Sequence, residues 1–224
     1  MNNLIKIKDS LPEVGGWIRM LHAGNPPKSY TKSSGQKINV VLTPGLFDRW
    51  GFYKPLVDGV VEAGFPVHIV SELGFSMGTI LESSQKVKKF IEKEKLENVV
   101  LLGHSKGGLI GKYLLENLNS NGRIIKLITV ASPFNGTTLS NHLIYPRFSE
   151  FSPNSELIKS LSAQSKYNDK IINIIPSIDV VIRNKNGSEL IGAKNIHVKA
   201  GGHNRAVNSE EVINLVINEL RSLS

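Results

Sequence analysis

Gly103-His104-Ser105-Lys106-Gly107 sets a hydroxyl between two glycines, directly after the apolar run Asn98-Val99-Val100-Leu101-Leu102. A short buried-type strand that stops at Gly-x-Ser-x-Gly and continues into a helical pattern (Leu109, Ile110, Tyr113, Leu114) has the features of a nucleophile elbow. Glycines on either side permit a tight, strained turn that a Cβ would obstruct, so the serine oxygen is held clear of the sheet. The helix behind it offers free N–H groups and a positive dipole end. That geometry suits attack on an acyl carbon. Taken alone, the five residues fit a phosphate-binding glycine turn equally well, so the decision falls to the partners of Ser105.

A serine hydroxyl needs a base to remove its proton, and histidine supplies one at neutral pH. A carboxylate then orients the imidazole and stabilises its charged form. After an elbow of this kind the acid and then the histidine follow the serine in chain order. His22 and His68 precede Ser105, His104 lies inside the elbow, and His142 comes before any suitable acid. His197 falls within the strand-like Asn195-Ile196-His197-Val198-Lys199, whereas His203 follows it on the loop Ala200-Gly201-Gly202-His203-Asn204. A loop position at the strand exit selects His203. Among the acids, Glu116 belongs to the helix after the elbow, Glu150 and Glu156 to a later excursion, and Asp169 to the wrong end of a strand. Asp179, just beyond Ile171–Ile175, is the expected acid, with Glu189 as its substitute.

Attack also creates an oxyanion, which calls for preorganised N–H donors. The main chain of Lys106 is one. The other is expected from Thr43-Pro44-Gly45-Leu46-Phe47, where Pro44 has no N–H and Gly45 shapes the turn, leaving Leu46 ahead of Phe47. The Lys106 side chain is expected to meet solvent or the covering segment and receives no chemical role.

These residues need a scaffold. From Lys37 onward, strand-like runs (Ile38–Leu42, Val67–Val70, Val99–Leu102, Ile124–Val130, Ile171–Ile175, Ile196–Val198) alternate with helical patterns (Lys54–Ala63, Leu81–Leu96, Leu109–Leu118, Glu210–Leu223). Alternation predicts an α/β fold, a mostly parallel sheet covered by helices on both faces, with function at the carboxyl ends of the strands. Asn208 with Glu211 is the expected cap of the last helix. Residues 1–36 hold scattered prolines and glycines with little periodicity and read as an N-terminal arm before a single domain over 37–224. The segment of about 134–167 breaks the rhythm with aromatics, Pro146, Pro153 and a helical piece at Ser155–Leu161. It follows the fourth strand, so it reads as a short lid over the rim that carries Ser105.

Composition agrees with a globular chain: 224 residues, 40% hydrophobic and 21% charged. Without cysteine there is no disulfide, thiolate site or cysteine nucleophile. The formal charge of +8 raises the question of nucleic acid, but lysines interleaved with Glu92, Glu94 and Glu97 read as a solvated helix face. No nucleic-acid partner is expected; weak peripheral contact with an anionic lipid surface is retained. The N-terminus lacks a signal-peptide pattern and no run is long enough for a transmembrane segment, so a cytoplasmic location is expected.

With these residues in place, the sequence from about 37 to 223 resembles the α/β-hydrolase superfamily, in particular small triacylglycerol lipase/esterase-like serine hydrolases. The resemblance rests on Val40-Val41-Leu42-Thr43-Pro44-Gly45-Leu46, Gly103-His104-Ser105-Lys106-Gly107-Gly108 and Ile128-Thr129-Val130-Ala131-Ser132-Pro133-Phe134-Asn135-Gly136-Thr137, together with Ser152-Pro153-Asn154-Ser155-Glu156-Leu157, Ser177-Ile178-Asp179-Val180-Val181 and Gly202-His203-Asn204. It departs from the group at Pro44-Gly45, where His-Gly is usual, and at Phe134, where histidine is frequent. Two early strands of larger relatives are missing, which leaves a minimal sheet of about six. The resemblance implies a Ser–Asp–His triad, no cofactor, and hydrolysis of acyl or lipid esters through an acyl-enzyme on Ser105. Phe47, His104, Phe134, Tyr145 and Phe148 are the expected substrate contacts. Two alternatives share this sequence: an acyltransferase using the same triad, and a catalytically silent module that binds lipid or protein.

Overall fold

Residues 14–32, 35–119, 121–142, 146–182 and 186–224 are described by a computed structural model. The strand-like runs become β1 (Asn39–Thr43), β2 (Val67–Ile69), β3 (Val99–His104), β4 (Ile124–Val130), β5 (Ile171–Pro176) and β6 (Lys194–Val198). They form one six-stranded parallel sheet in the order β2-β1-β3-β4-β5-β6. The helices are a segment over 14–22 (α1), then α2 (Lys54–Glu62), α3 (Ile80–Lys93), α4 (Lys106–Tyr113), α5 (Glu156–Ala163) and α6 (Glu210–Arg221).

Both faces of the sheet are covered over its inner strands, which is why β1, β3, β4 and β5 read as largely apolar runs, whereas the edge strand β6 is mostly exposed. Successive strand residues point to opposite faces. Val40, Leu42, Val100, Leu102, Ile128 and Val130 pack with Leu56, Val57 and Val60 of α2 and Val212, Val216 and Leu220 of α6. Their neighbours Val41, Val99, Leu101 and Leu127 pack on the other side with Ile80 and Val87 of α3, Leu109 and Ile110 of α4, and Ile158 and Leu161 of α5. The order of the sheet matters more than its size. From β1 the chain goes to β2 on one side and then to β3 on the other, which opens a crevice beyond the carboxyl ends of β1 and β3.

Two local expectations change. Residues 14–22 are helical, although the sequence there shows little periodicity. The helix docks through closeness rather than bulk: a Cβ at Gly16 would lie 2.7 Å from the Phe52 ring, while Met20 and, further on, Tyr30 enter the core. A glycine used as a contact point leaves no hydrophobic signature. The cap of α6 is also displaced by one residue. Ser209 Oγ accepts the Val212 N–H at 3.3 Å, and Asn208 instead donates to the Phe52 carbonyl at 2.8 Å. Glu211 is drawn away to accept the N–H groups of Lys199 and Ala200 at 3.0 and 2.8 Å. Among the described residues, no helix is long and apolar enough to cross a membrane.

Candidate active site

Ser105 lies between β3 and α4 with φ 52° and ψ −118°, a positive-φ conformation outside the left-handed helical region of ordinary turns, and so a strained one that needs support from its surroundings. The support is steric and specific. A Cβ at Gly107 would lie 1.8 Å from the Thr43 carbonyl oxygen, and one at Gly103 would lie 2.8 Å from the Gly108 nitrogen. Both glycines of the motif therefore let β1, β3 and α4 close on one another. The Ser105 N–H donates to the Val130 carbonyl at 2.9 Å, which fixes the elbow to β4.

The exits of β5 and β6 bring the other two side chains to this point. Ser177 donates through its N–H to the Ala200 carbonyl at 3.1 Å and through Oγ to the Lys199 carbonyl at 2.8 Å. The Gly202 N–H donates to the Ile178 carbonyl at 2.7 Å. These bonds lash the acid loop to the histidine loop. Asp179 Oδ1 accepts the N–H groups of Val181 and Ile182, each at 2.8 Å, and Oδ2 accepts from His203 Nδ1 at 2.8 Å. His203 Nε2 then faces Ser105 Oγ at 2.9 Å. Burial by itself would raise the Asp179 pKa. The hydrogen bond and charge of His203, with the N–H groups of Ile182 and Val181, outweigh it and hold the carboxyl below its ordinary value. The rival residues sit elsewhere: His197 and Glu189 pair with each other at 3.4 Å on the surface, with side chains at least half exposed.

A largely apolar cavity of about 250 Å³ opens over Ser105 and His203, and Leu46, Phe47, Lys106, Phe148 and Phe151 are among its walls. Leu46 makes no main-chain hydrogen bond through its N–H among the described residues, consistent with a donor left for a ligand. Phe47 turns the same loop with φ 65° and sets its ring 6.1 Å from that of Phe148. The segment after β4 covers the opening with Thr137, Leu139 and Phe148.

Two expectations about side chains are corrected. Phe134 is 1% exposed and belongs to the core under α5, away from the cavity walls, because the chain turns inward directly after β4. His104 borders the cavity, but its ring is only 1% exposed, with one ring nitrogen facing Tyr53 Oη at 3.0 Å and the other the His203 carbonyl at 3.0 Å. Lys106, expected to meet solvent or the lid, is buried, with Nζ donating to the carbonyls of Ser76 (2.7 Å) and Gly78. Tyr145 lies outside the described residues. Sequence reasoning missed Trp17 of α1, which reaches the cavity from the N-terminal segment, and the buried pair of Asp48, at the cavity's edge, and Tyr53 behind it. Trp17 was findable as the sole large aromatic in an otherwise glycine-rich stretch; the pair carried no pattern.

Comparison with known proteins bears on this geometry directly. The family model for palmitoyl protein thioesterase matches residues 40–176, more than half of the chain. The chain belongs to that family. The matched region carries the oxyanion loop candidates and Ser105 but stops before Asp179 and His203, so those two rest on the structure. Among curated relatives, triacylglycerol lipase 2 of Saccharomyces cerevisiae is 31% identical over 70 residues, covering 31% of this chain and 22% of that protein. The chain's alignments with its curated relatives span between 22% and 39% of their lengths. Solved structures match further: lipase B of Aspergillus fumigatus aligns with a TM-score of 0.69 at 17% identity, over 87% of this chain and 55% of that one. The mature lipase BlEst2 of Bacillus licheniformis aligns with a TM-score of 0.66 at 12% identity, over 88% and 96%. At such identities the likeness is one of fold, and the fold is that of the α/β-hydrolases. Among the described residues no group of three His, Asp or Glu side chains could hold a metal ion.

Proposed function

We propose that the chain is a serine hydrolase of fatty acyl esters, oxygen or sulfur linked, acting through an acyl-enzyme on Ser105. The observation that carries this reading is the unbroken hydrogen-bond chain from Asp179 through His203 to Ser105 at the floor of an apolar cavity. In the proposed reaction Ser105 Oγ attacks the acyl carbon as His203 Nε2 takes its proton. Asp179 holds the ring in the tautomer that leaves Nε2 free and stabilises the imidazolium once formed. The main-chain N–H groups of Leu46 and Lys106 receive the oxyanion. His203 returns the proton to the leaving alcohol or thiol, and a water activated by the same imidazole releases the acid. The acyl chain lies along Phe47, Phe148 and Phe151. The family's description names a thioesterase and the named relative is a lipase, which supports a fatty acyl group without choosing the leaving atom.

The test is Ser105→Ala, assayed on p-nitrophenyl esters from acetate to palmitate and on a fatty acyl thioester. By comparison with other serine hydrolases, turnover is expected to fall by about 10⁶-fold while folding is retained. Turnover unchanged in that variant would reject the mechanism, and a preference for acetate over every longer ester would reject the acyl pocket.

A further inference from the structure

At the base of the cavity, where Asp48 and His104 contribute to its lining, lies a polar cluster to which the proposed reaction gives no chemical step. Tyr53 is fully buried, His104 is 1% exposed and Asp48 3%. Tyr53 Oη accepts the Gly45 N–H at 2.8 Å, donates to Asp48 Oδ2 at 2.5 Å, and lies 3.0 Å from His104 Nδ1. On the far side of the imidazole, His104 Nε2 meets the main-chain carbonyl of His203 at 3.0 Å. A carbonyl oxygen can only accept, so Nε2 carries a hydrogen; the single Tyr53 proton is directed to Asp48, and Nδ1 packs in close contact with Tyr53 Oη and, at 3.5 Å, with Asp48 Oδ2. Burial, and then the charge of Asp48, push the Tyr53 hydroxyl well above the ordinary tyrosine range, so it keeps its proton as a donor.

Such a cluster is costly to bury unless every member is satisfied. Its connections suggest why it is there. Gly45 and Asp48 flank Leu46 in the oxyanion loop, His104 precedes Ser105, and the accepted carbonyl belongs to His203 itself. Three hydrogen bonds and the close Tyr53–His104 contact therefore run through segments that come from three different strand exits. We infer that Tyr53, with Asp48 and His104, is a positioning unit that fixes the oxyanion loop relative to the backbone of the catalytic histidine. The assignment rests on the ester-hydrolase reading of the same site. The three side chains are almost wholly buried, and their polar atoms are turned to one another and to main chain rather than to the reacting atoms. Their effect comes through the places of the Leu46 N–H and the His203 ring, where an error near 1 Å is enough to cost about 10²-fold.

The variants Tyr53→Phe, His104→Leu and His104→Gln separate positioning from plain stability. Tyr53→Phe removes one oxygen and frees the Gly45 N–H. His104→Gln keeps an amide donor aimed at the His203 carbonyl, and His104→Leu does not. Each is assayed beside the unsubstituted chain and Ser105→Ala, at a temperature where near-ultraviolet circular dichroism reports a native fold. Tyr53→Phe is expected to lower kcat about 10²-fold with KM changed less than threefold, as for the loss of a transition-state contact. His104→Gln is expected to recover at least tenfold of the kcat lost in His104→Leu, a rescue independent of whether Tyr53→Phe folds. A native Tyr53→Phe with kcat within threefold of the unsubstituted chain would overturn the inference, as would equal kcat in the two His104 variants. Failure of the underlying reading looks different: Ser105→Ala then turns over as fast as the unsubstituted chain.

Discussion

After β1, β3 and β4 the chain passes through positive-φ conformations at Phe47 (φ 65°), Ser105 (φ 52°) and Ala131 (φ 53°). On the opposite rim, ahead of β3 and β4, it does so at Lys95 (φ 53°), Asn98 (φ 51°) and Gly122 (φ 70°). The φ values match, but the surroundings do not. Lys95, Asn98 and Gly122 are exposed, and an added Cβ at Gly122 would find nothing within 4 Å. At the carboxyl rim Ala131 is buried, Phe47 and Ser105 are partly so, and Asp48, Tyr53, His104 and Lys106 are packed beneath them. Lys106 holds the carbonyls of Ser76 and Gly78, and Ser76 Oγ in turn donates to the Pro44 carbonyl at 3.2 Å. At one rim the unusual backbone merely reverses the chain. At the other it is held by buried side chains, and that is where Ser105, Asp179 and His203 converge.

The largest difference between the rims is expected in turnover. His203→Ala removes the base and is expected to lower kcat about 10⁶-fold, whereas Asp179→Asn, which leaves the imidazole in place but misdirected, is expected to lower it about 10⁴-fold. Asn98→Gly alters a left-handed residue of the opposite rim and is expected to leave kcat within twofold. Steady-state rates on a soluble p-nitrophenyl ester decide the matter. If Asp179→Asn kept full activity, the acid would lie elsewhere and the carboxyl rim would lose its claim as the reacting one.

A second contrast is in stability. Gly107→Ala forces a methyl to within 1.8 Å of the Thr43 carbonyl, and no flexible side chain there can yield. The loss is expected to exceed about 3 kcal/mol, the upper range for overpacking. Gly122→Ala meets open space and pays only for a left-handed alanine, about 1–2 kcal/mol. Urea unfolding midpoints of the two variants measure this. Equal losses would mean that the elbow is no more tightly built than an ordinary turn.

How far the sequence alone carries can be traced along the same rims. β1 to β5 were legible because burial makes them largely apolar runs, and Ile124–Val130 agrees with its observed bounds; β6 is mostly exposed and was legible only through Ile196–Val198. Ser105, Asp179 and His203 were legible as polar residues at strand exits in a set chain order, and the structure brings those three together. The supporting network was not. Asp48 and Tyr53 belong to no motif, and the sequence shows that His104 adjoins Ser105 without showing that its ring nitrogens face Tyr53 and the His203 carbonyl. Lys106 misled for a related reason: lysine is rarely buried, and only the backbone carbonyls of a distant loop explain this one. Trp17 came from a segment whose docking depends on Gly16, and close approach leaves no trace in hydrophobic periodicity.

The smallest expected effect concerns acid stability, where the two regions separate by pH. His68 lies in β2 beneath Phe90 of α3, with Nε2 3.0 Å from Asn39 Oδ1. Burial pulls its pKa below the ordinary 6.5, only partly opposed by the charge of Glu94. Asp179 is held below its ordinary 3.8, the hydrogen bond and charge of His203 and two main-chain donors outweighing burial. Both folded pKa values are depressed, so in each case the unfolded chain takes up the proton first and stability falls with falling pH. For His68 the contribution is complete above pH 6.5 and is lost below it, as pH falls through the folded value. For Asp179 the loss starts only below pH 3.8. Neither slope can exceed about 1.4 kcal/mol per pH unit. Urea unfolding between pH 3 and 7.5 is therefore expected to show that His68→Gln flattens the upper limb and spares the lower one. Asp179→Asn is expected to do the reverse. An upper limb that persists in His68→Gln would place that proton on another group, and a lower limb that persists in Asp179→Asn would mean that the hydrogen bonds seen at the carboxyl rim contribute nothing to holding it.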